Sequence, residues 1–365
     1  MKRIDNKDVI TRRQLAAASS VGLLSPAIRL LPLHAVQLAG RVSWVSALIS
    51  MLLGALYVLM LEKAMEKRAE GEGLSDIIFK CIGRTAGRIL IGIFAVWFTL
   101  YCGFVLRSAA ERLLSSVYAN GSAGFFMVIT LLAAVIAASG QLKSIARTGQ
   151  AFVFIIWGVL IVSIALSAAD MKKENLLPVT YLDLPNVLLG TLPVMDIIGG
   201  YTFFLFLGDN VTIKEGDKKT AVKWSLLFGV TLFAIVFVTI GAESAGYLIH
   251  NKNPFFVMIR NASFFGMAER IESVVVAIWV LSDFLFLSLL LVIARKTCGI
   301  ALRVQNDKPL LYPIAAVSYA AAELLARNSF ELIAYSRWIV PISSMIIVFV
   351  IIPAVLLIGK ARSRL

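Results

Sequence analysis

Histidine and cysteine are nearly missing from this chain of 365 residues, which carries 2 His and 3 Cys. His34 and His250 lie far apart and no spacing of a zinc site occurs, so a zinc centre is excluded and no metal is expected. Cys81, Cys102 and Cys298 are odd in number and scattered, which excludes a disulfide framework. No glycine-rich phosphate loop or dinucleotide fingerprint is present, so no nucleotide cofactor is expected and ATP-driven chemistry would need another subunit. Gly208-Asp209 and Ser282-Asp283 offer carboxylates to an intramembrane aspartyl protease, but the residues around neither fit, and no enzymatic activity is expected. Charge is also scarce. Charged residues make up 16% of the chain and hydrophobic ones 59%, where soluble domains run at about 25% and about 45–50%. At a mean hydropathy of +0.86 a water-soluble globule of this length cannot hide its apolar surface, and lipid must take it.

What the chain has instead is long apolar runs. Ten are expected to span a bilayer: 13–38, 43–62, 88–111, 123–140, 149–169, 186–208, 222–249, 270–294, 310–326 and 337–359. The runs are continuous rather than alternating, so helices are predicted and not a barrel. The net charge of +13 invites a nucleic-acid partner, but Lys and Arg concentrate in the segments that share a side with the N-terminus. That asymmetry is the positive-inside signal; it places both termini in the cytoplasm and accounts for the basic balance with no nucleic acid. The opening MKRIDNKDVITRRQ (1–12 and the start of the first run) reads as a cytoplasmic tail without a signal peptide.

Two runs look interrupted. The first contains Ser25-Pro26, and the sixth contains Pro193 and Gly199-Gly200. These are corresponding places if ten spans divide into five plus five, with repeats at about 11–170 and 186–359. Five is odd, so the second half inserts with opposite topology, as in inverted-repeat transporters whose broken helices form a midplane solute site. The fold class expected is therefore an all-α integral membrane protein, a 5+5 inverted repeat with broken helices 1 and 6. An unwound helix presents free N–H groups on one side and free carbonyls on the other, which suit the carboxylate and ammonium of an amino acid. The candidate substrate-binding residues are Gly22, Leu24, Ser25, Ala27 and Arg29 in the first run, with Asp196, Ile198, Gly199, Gly200 and Thr202 in the sixth. The alternative is structural: Pro26 only kinks a packed helix, and Gly199-Gly200 only admit a close neighbour. Arg29 and Asp196 would each be costly alone in hydrocarbon, by about 2.5–3.5 kcal/mol on insertion scales. Either they neutralise one another, or one engages a ligand's charge, or they reach the interface; an Asp196 facing the site would favour a cationic or zwitterionic solute.

Other intramembrane ionisables are Arg107 and Glu111, spaced to pair on one helix face, Glu243, Asp283 and Glu323. Most tryptophans (Trp44, Trp97, Trp157, Trp224 and Trp338) are expected near span ends or on lipid faces. Two connectors stand out. Residues 63–87 form a cytoplasmic loop in which Leu74, Ile77, Ile78 and Cys81 have helical spacing. Residues 251–268 read as an external amphipathic segment capping a vestibule, or as a loop partly buried on the helix ends.

Ala268-Glu269-Arg270-Ile271-Glu272-Ser273, running into the apolar stretch 274–280 with Trp279, resembles the opening of the eighth span in the endospore-germination permeases. These are the B-type integral subunits of nutrient germinant receptors, within the amino acid–polyamine–organocation transporter group. Leu31-Pro32, Asn253-Pro254, 206–210 and Tyr335-Ser336 support the resemblance in order along nearly the whole chain. Where that family carries a glycine-rich triplet, this chain reads Ser25-Pro26-Ala27, with Arg29 at a usually apolar position. Glu269 and Glu272 flank Arg270 at the membrane edge and read as an interfacial ion-pair cluster. The resemblance implies a LeuT-like fold, a small nutrient such as an amino acid bound between spans 1 and 6, A- and C-type partner subunits, and the spore inner membrane. It also implies a coupling-ion site of span 8 against span 1, with Ser282 and Asp283 as its candidates. An autonomous cation- or proton-coupled amino-acid transporter is the alternative it leaves open.

Overall fold

A computed structural model describes residues 8–66, 71–116, 118, 120–212, 219–262, 268–326 and 328–362. The long helices are α1 (Arg12–Ala39), α2 (Ser43–Glu66), α4 (Arg84–Ser116), α5 (Ala123–Ser139) and α6 (Leu142–Ala168), with the short α3 (Leu74–Ile82) between α2 and α4. They are followed by α7 (Leu184–Gly199), α8 (Thr220–Ala242), the short α9 (Pro254–Asn261), α10 (Ala268–Leu302), α11 (Leu311–Leu325) and α12 (Ser329–Ala361). Each of the ten expected runs is occupied by helix. Among the described residues seven stretches are long and apolar enough to cross a membrane; the first of them, Arg12–Met65, contains both α1 and α2, while α5 and α11 are shorter.

Helix α1 is the hub. It packs against α6, α7, α8 and α10, and nearly every side chain from Ala17 to Val36 is buried. In a bilayer this burial comes from packing against other helices rather than from water exclusion, so close approach matters. A Cβ on Gly149 of α6 would lie 2.6 Å from the backbone Cα of Ala18, so this glycine is what lets α6 reach α1. Turns between helices use the left-handed conformation that glycine tolerates: Gly40 (φ 57°) ends α1, and Gly83 (φ 88°) separates α3 from α4.

The expected interruption of the first span is not an unwinding. Helix α1 is assigned continuously from Arg12 to Ala39, with Pro26 and Pro32 inside it. Proline removes one N–H and leaves the carbonyl four residues earlier without its donor. At Pro26 that carbonyl belongs to Gly22. The hydroxyl of Ser282 on α10 donates to Val21 O and lies 3.4 Å from Gly22 O. Ser282 thus donates into the turn that Pro26 weakens, and the backbone is helical through both prolines. The sixth span does change form: α7 gives way at Gly200 to a 3₁₀ segment running Gly200–Asn210. Runs of 3₁₀ this long are uncommon and mark hinges. Helix α12 carries two π-helical segments, Tyr335–Ile339 and Ile346–Ile351, which its sequence did not announce.

Smaller differences concern the connectors. Leu74, Ile77, Ile78 and Cys81 are all buried on one face of α3, as their spacing predicts. In 251–268, α9 buries Phe255, Phe256, Met258 and Ile259 and packs on α1 and α10, so it is a docked helix rather than a loop. Helix α8 ends at Ala242, so Glu243 lies outside the seventh span and accepts a hydrogen bond from Asn261 Nδ2 at 2.8 Å. Trp97 is not a lipid-facing anchor: it stacks on Tyr101 and donates to Ser343 Oγ at 3.1 Å. The side chains of Glu269, Arg270 and Glu272 fall outside the described residues. At the N-terminal end of α1, Ile10–Thr11 pairs in parallel with Val211–Thr212, tying that helix to the end of the sixth span.

Gly149→Ala is expected to lower stability by about 1–3 kcal/mol, because backbone on both helices must move apart. Gly158→Ala on the same helix, with nothing within 4 Å, is expected to cost nothing. Thermal unfolding of the two variants in detergent compares them directly.

Candidate functional site

The candidate residues separate into two groups on opposite sides of α1. On one side Ser25, Ser282 and Asp283 meet Arg112, which sequence reading had left outside the third span by ending that span at 111. Arg112 Nη2 donates to Asp283 Oδ1 at 3.1 Å, and the Ser25 hydroxyl donates to the same carboxylate oxygen. Both members of the ion pair are buried. Gly22 belongs to the same contact: a Cβ there would lie 3.2 Å from Phe286, on the face of α10 that carries Asp283. Leu24 and Ala27 are fully buried core residues.

On the other side, Pro26, Leu30, Leu31 and His34 of α1 face Tyr101 and Phe104 of α4, Pro193, Asp196 and Ile197 of α7, and Ser336, Val340 and Pro341 of α12. Together they line a cavity of about 30 Å³. His34 Nε2 is 3.2 Å from Ser336 Oγ across it. Asp196 accepts a hydrogen bond from the hydroxyl of Ser344, which lies between the two π-helical segments of α12. No cation pairs with Asp196 among the described residues.

Arg29 and Asp196 do not neutralise one another. Arg29 points to α4, where Nη1 donates to the carbonyl of Ser108 at 2.8 Å, and its Nε has no partner. It is buried and does not line the cavity. Ile198, Gly199, Gly200 and Thr202 serve contacts rather than the cavity wall. A Cβ on Gly199 would meet Val348 at 2.9 Å, and one on Gly200 would meet Leu23 at 2.6 Å, so these glycines admit α12 and α1. Ile198 fills the space left by Gly54 of α2. Thr202 Oγ1 lies 3.1 Å from the Tyr57 hydroxyl, which donates to Val348 O at 2.8 Å. Arg107 and Glu111 pair at 2.7 Å as their spacing predicts, but Ser329 also donates to Glu111 at 2.6 Å, so the pair joins a wider network.

A larger cavity, about 110 Å³, lies toward the N-terminal end of α1 among Leu15, Val58, Leu61, Phe204 and Leu205. The Arg12–Glu62 ion pair, at 3.4 Å, is on its wall. Its apolar interior can pack a ligand but has little to orient one. The smaller cavity holds a carboxylate with no cation partner together with hydroxyl and imidazole groups, which is the chemistry a polar solute needs. It has room for only about two water molecules, so a solute enters only if the surrounding helices move. The elements able to move are the irregular ones, the 3₁₀ segment and the π-flanked middle of α12.

Tyr101 and Ser344 carried no signal in the sequence, and His34 and Ser336 none of a role in this site, because a polar side chain in a span does not reveal what it faces. Arg112 did carry one, a third ionisable side chain one residue beyond Glu111.

These helices, with an irregular sixth span packed on a central first span, make up a membrane permease of the LeuT-like transporter fold. Mhp1, a nucleobase-cation-symport-1 family transporter in a closed conformation with bromovinylhydantoin bound, aligns with a TM-score of 0.61 at 11% identity, over 94% of this chain and 78% of that one. MhsT in complex with L-phenylalanine aligns with a TM-score of 0.60 at 13% identity, over 94% of this chain and 99% of that one. At such identities the likeness is one of fold. A family model described as spore germination protein matches residues 20–330, and the chain belongs to that family of spore permeases. No curated protein matches it.

Ser344→Ala would leave the Asp196 carboxylate without its hydroxyl donor. A loss of about 1–3 kcal/mol is expected, with Asp196→Asn in the same protein restoring part of it; unfolding midpoints of the two variants test the coupling.

Proposed function

We propose that this chain is the permease-like subunit of a nutrient germinant receptor, and that it binds a small amine-bearing nutrient, an amino acid, between the middle of α1 and α7. The observation that carries the reading is Asp196. It is an intramembrane carboxylate on a cavity wall whose one hydrogen-bond partner is a hydroxyl, with no cation beside it among the described residues. A carboxylate in hydrocarbon needs a counter-charge, and a ligand ammonium supplies one. Tyr101, Phe104, Leu30 and Ile197 provide the apolar wall against which a side chain packs. Arg29, one turn of α1 beyond Pro26 and hydrogen-bonded among the described residues to a backbone carbonyl, is the group available to a ligand carboxylate if its side chain turns from Ser108. MhsT, one of the solved structures that this fold resembles, is in complex with L-phenylalanine, a solute of this class.

Binding would act as a switch. The small cavity admits a solute only after α12 and the sixth span separate, and a ligand shifts that equilibrium by its difference in affinity for the wider and narrower forms. In this reading the A- and C-type subunits receive the movement, in the spore inner membrane, with both termini of this chain in the cytoplasm.

Equilibrium binding of radiolabelled L-alanine, L-valine and L-phenylalanine to the purified chain tests the proposal. At least one is expected to bind saturably, and Asp196→Asn is expected to weaken it about tenfold or more, the worth of a lost charge-assisted contact. Binding that Asp196→Asn leaves unchanged would remove the reading. In proteoliposomes holding this chain alone, binding without accumulation is expected; accumulation driven by an ion gradient would favour an autonomous coupled transporter.

A further inference from the structure

The contact between α1 and α10 gathers oxygen atoms at one buried point. Asp283 contributes a carboxylate, and Ser25 and Ser282 contribute hydroxyls. Val21, Gly22 and Ser25 contribute backbone carbonyls on the turn that Pro26 deprives of a donor. Carboxylate, hydroxyl and carbonyl oxygens meeting in this way are the ligand set of a hard cation. In this chain a cation already stands there, and it is covalently attached. The guanidinium of Arg112 reaches in from α4, donating to Asp283 Oδ1 at 3.1 Å and lying 3.5 Å from Ser25 O. Its Cζ is 5.6 Å from the centre of the Trp279 ring. Both charges are buried, with side-chain exposures of 3% and 6%, so no solvent screens them.

We infer that Arg112 is a built-in counter-cation, which occupies the position an inorganic ion would take between α1 and α10 and makes the protein indifferent to sodium, potassium or lithium at this point. Three features carry the inference. The pair is direct and buried, so Asp283 has no charge left to offer a mobile ion. The guanidinium also spans to a carbonyl of α1, so it does the bridging between helices that a bound ion would do. It belongs to α4, so three helices are fixed by one group that cannot dissociate. Ser282 is taken up by the carbonyls of α1 and is likewise not presented to an ion. A chain built this way can register a nutrient regardless of the surrounding salts and has no means here to draw on a cation gradient. The inference does not depend on which solute the cavity beside Asp196 takes.

Thermal unfolding of the purified full-length chain, in sodium, potassium, lithium and choline chloride at equal ionic strength, is the test. The wild-type midpoint is expected to be the same in all four. Arg112→Ala empties the space beside Asp283; in choline its midpoint is expected to fall by about 5 °C or more. It is expected to rise again, saturably, with sodium or lithium. Adding Asp283→Asn to Arg112→Ala is expected to recover much of the loss and to abolish the cation response, because no carboxylate then needs a partner. A saturable rise of the wild-type midpoint with any one alkali cation would overturn the inference. So would an Arg112→Ala protein that unfolds like the wild type in choline, or one that loses stability, ignores every cation and is not helped by Asp283→Asn. Should Arg112→Ala fail to fold, the double variant decides: recovery of a folded, cation-indifferent protein sustains the inference, and its failure sinks it.

Discussion

In hydrocarbon a backbone or charged group left without a partner is costly, and the packing around α1 turns on where that cost is met and where it is left open. Proline takes a donor from the middle of the central helix. In water the exposed carbonyl would be hydrated; between α1 and α10 there is no water to do so. Ser282 donates to the carbonyls of that turn, Ser25 and Arg112 satisfy Asp283, and α1 remains a continuous helix. The helix expected to open is thereby held continuous, tied to α4 by Arg112, to α10 by Ser282 and Asp283, and packed by α6.

Irregularity is displaced to the partners of α1. The sixth span passes from α to 3₁₀ geometry at Gly200, and α12 is widened by two π-helical segments on either side of Ser344. The first π-helical segment reaches the cavity through Ser336, and Ser344, between the two, donates to Asp196 of α7, one turn before the 3₁₀ segment begins. A rigid post on one side and deformable helices on the other is an arrangement in which a solute can move one part of the bundle against another. The glycines of the sixth span serve this arrangement by contact: Gly199 and Gly200 bring α12 and α1 close without a side chain between them.

The two buried acids of the central region differ in their surroundings more than in their chemistry. Asp283 is enclosed by a guanidinium and a hydroxyl, and it completes a structural joint. Among the described residues Asp196 has a hydroxyl and no cation beside it, and it borders a cavity. A carboxylate satisfied from within its own protein holds helices together, whereas one whose counter-charge is missing is suited to receive it from a ligand. Their separation on opposite sides of α1 keeps the two roles from interfering.

Much of this was legible in one dimension. A span requires about twenty apolar residues whatever it packs against, so the runs, their order and the family resemblance could be read from composition and pattern. The face of α3 followed from the spacing of Leu74, Ile77, Ile78 and Cys81 in the same way. Arg29 and Asp196 were visible as charges out of place, but not as charges that fail to meet. Which buried group satisfies which is decided only when the helices assemble. Arg112 and Asp283 stand 171 positions apart, and Ser344 and Asp196 stand 148 apart, so no local spacing relates them. For the same reason the surroundings of Pro26 could not be judged from its own neighbours: Ser282, whose hydroxyl donates into that turn at Val21 O, stands 261 positions from Val21 in the chain.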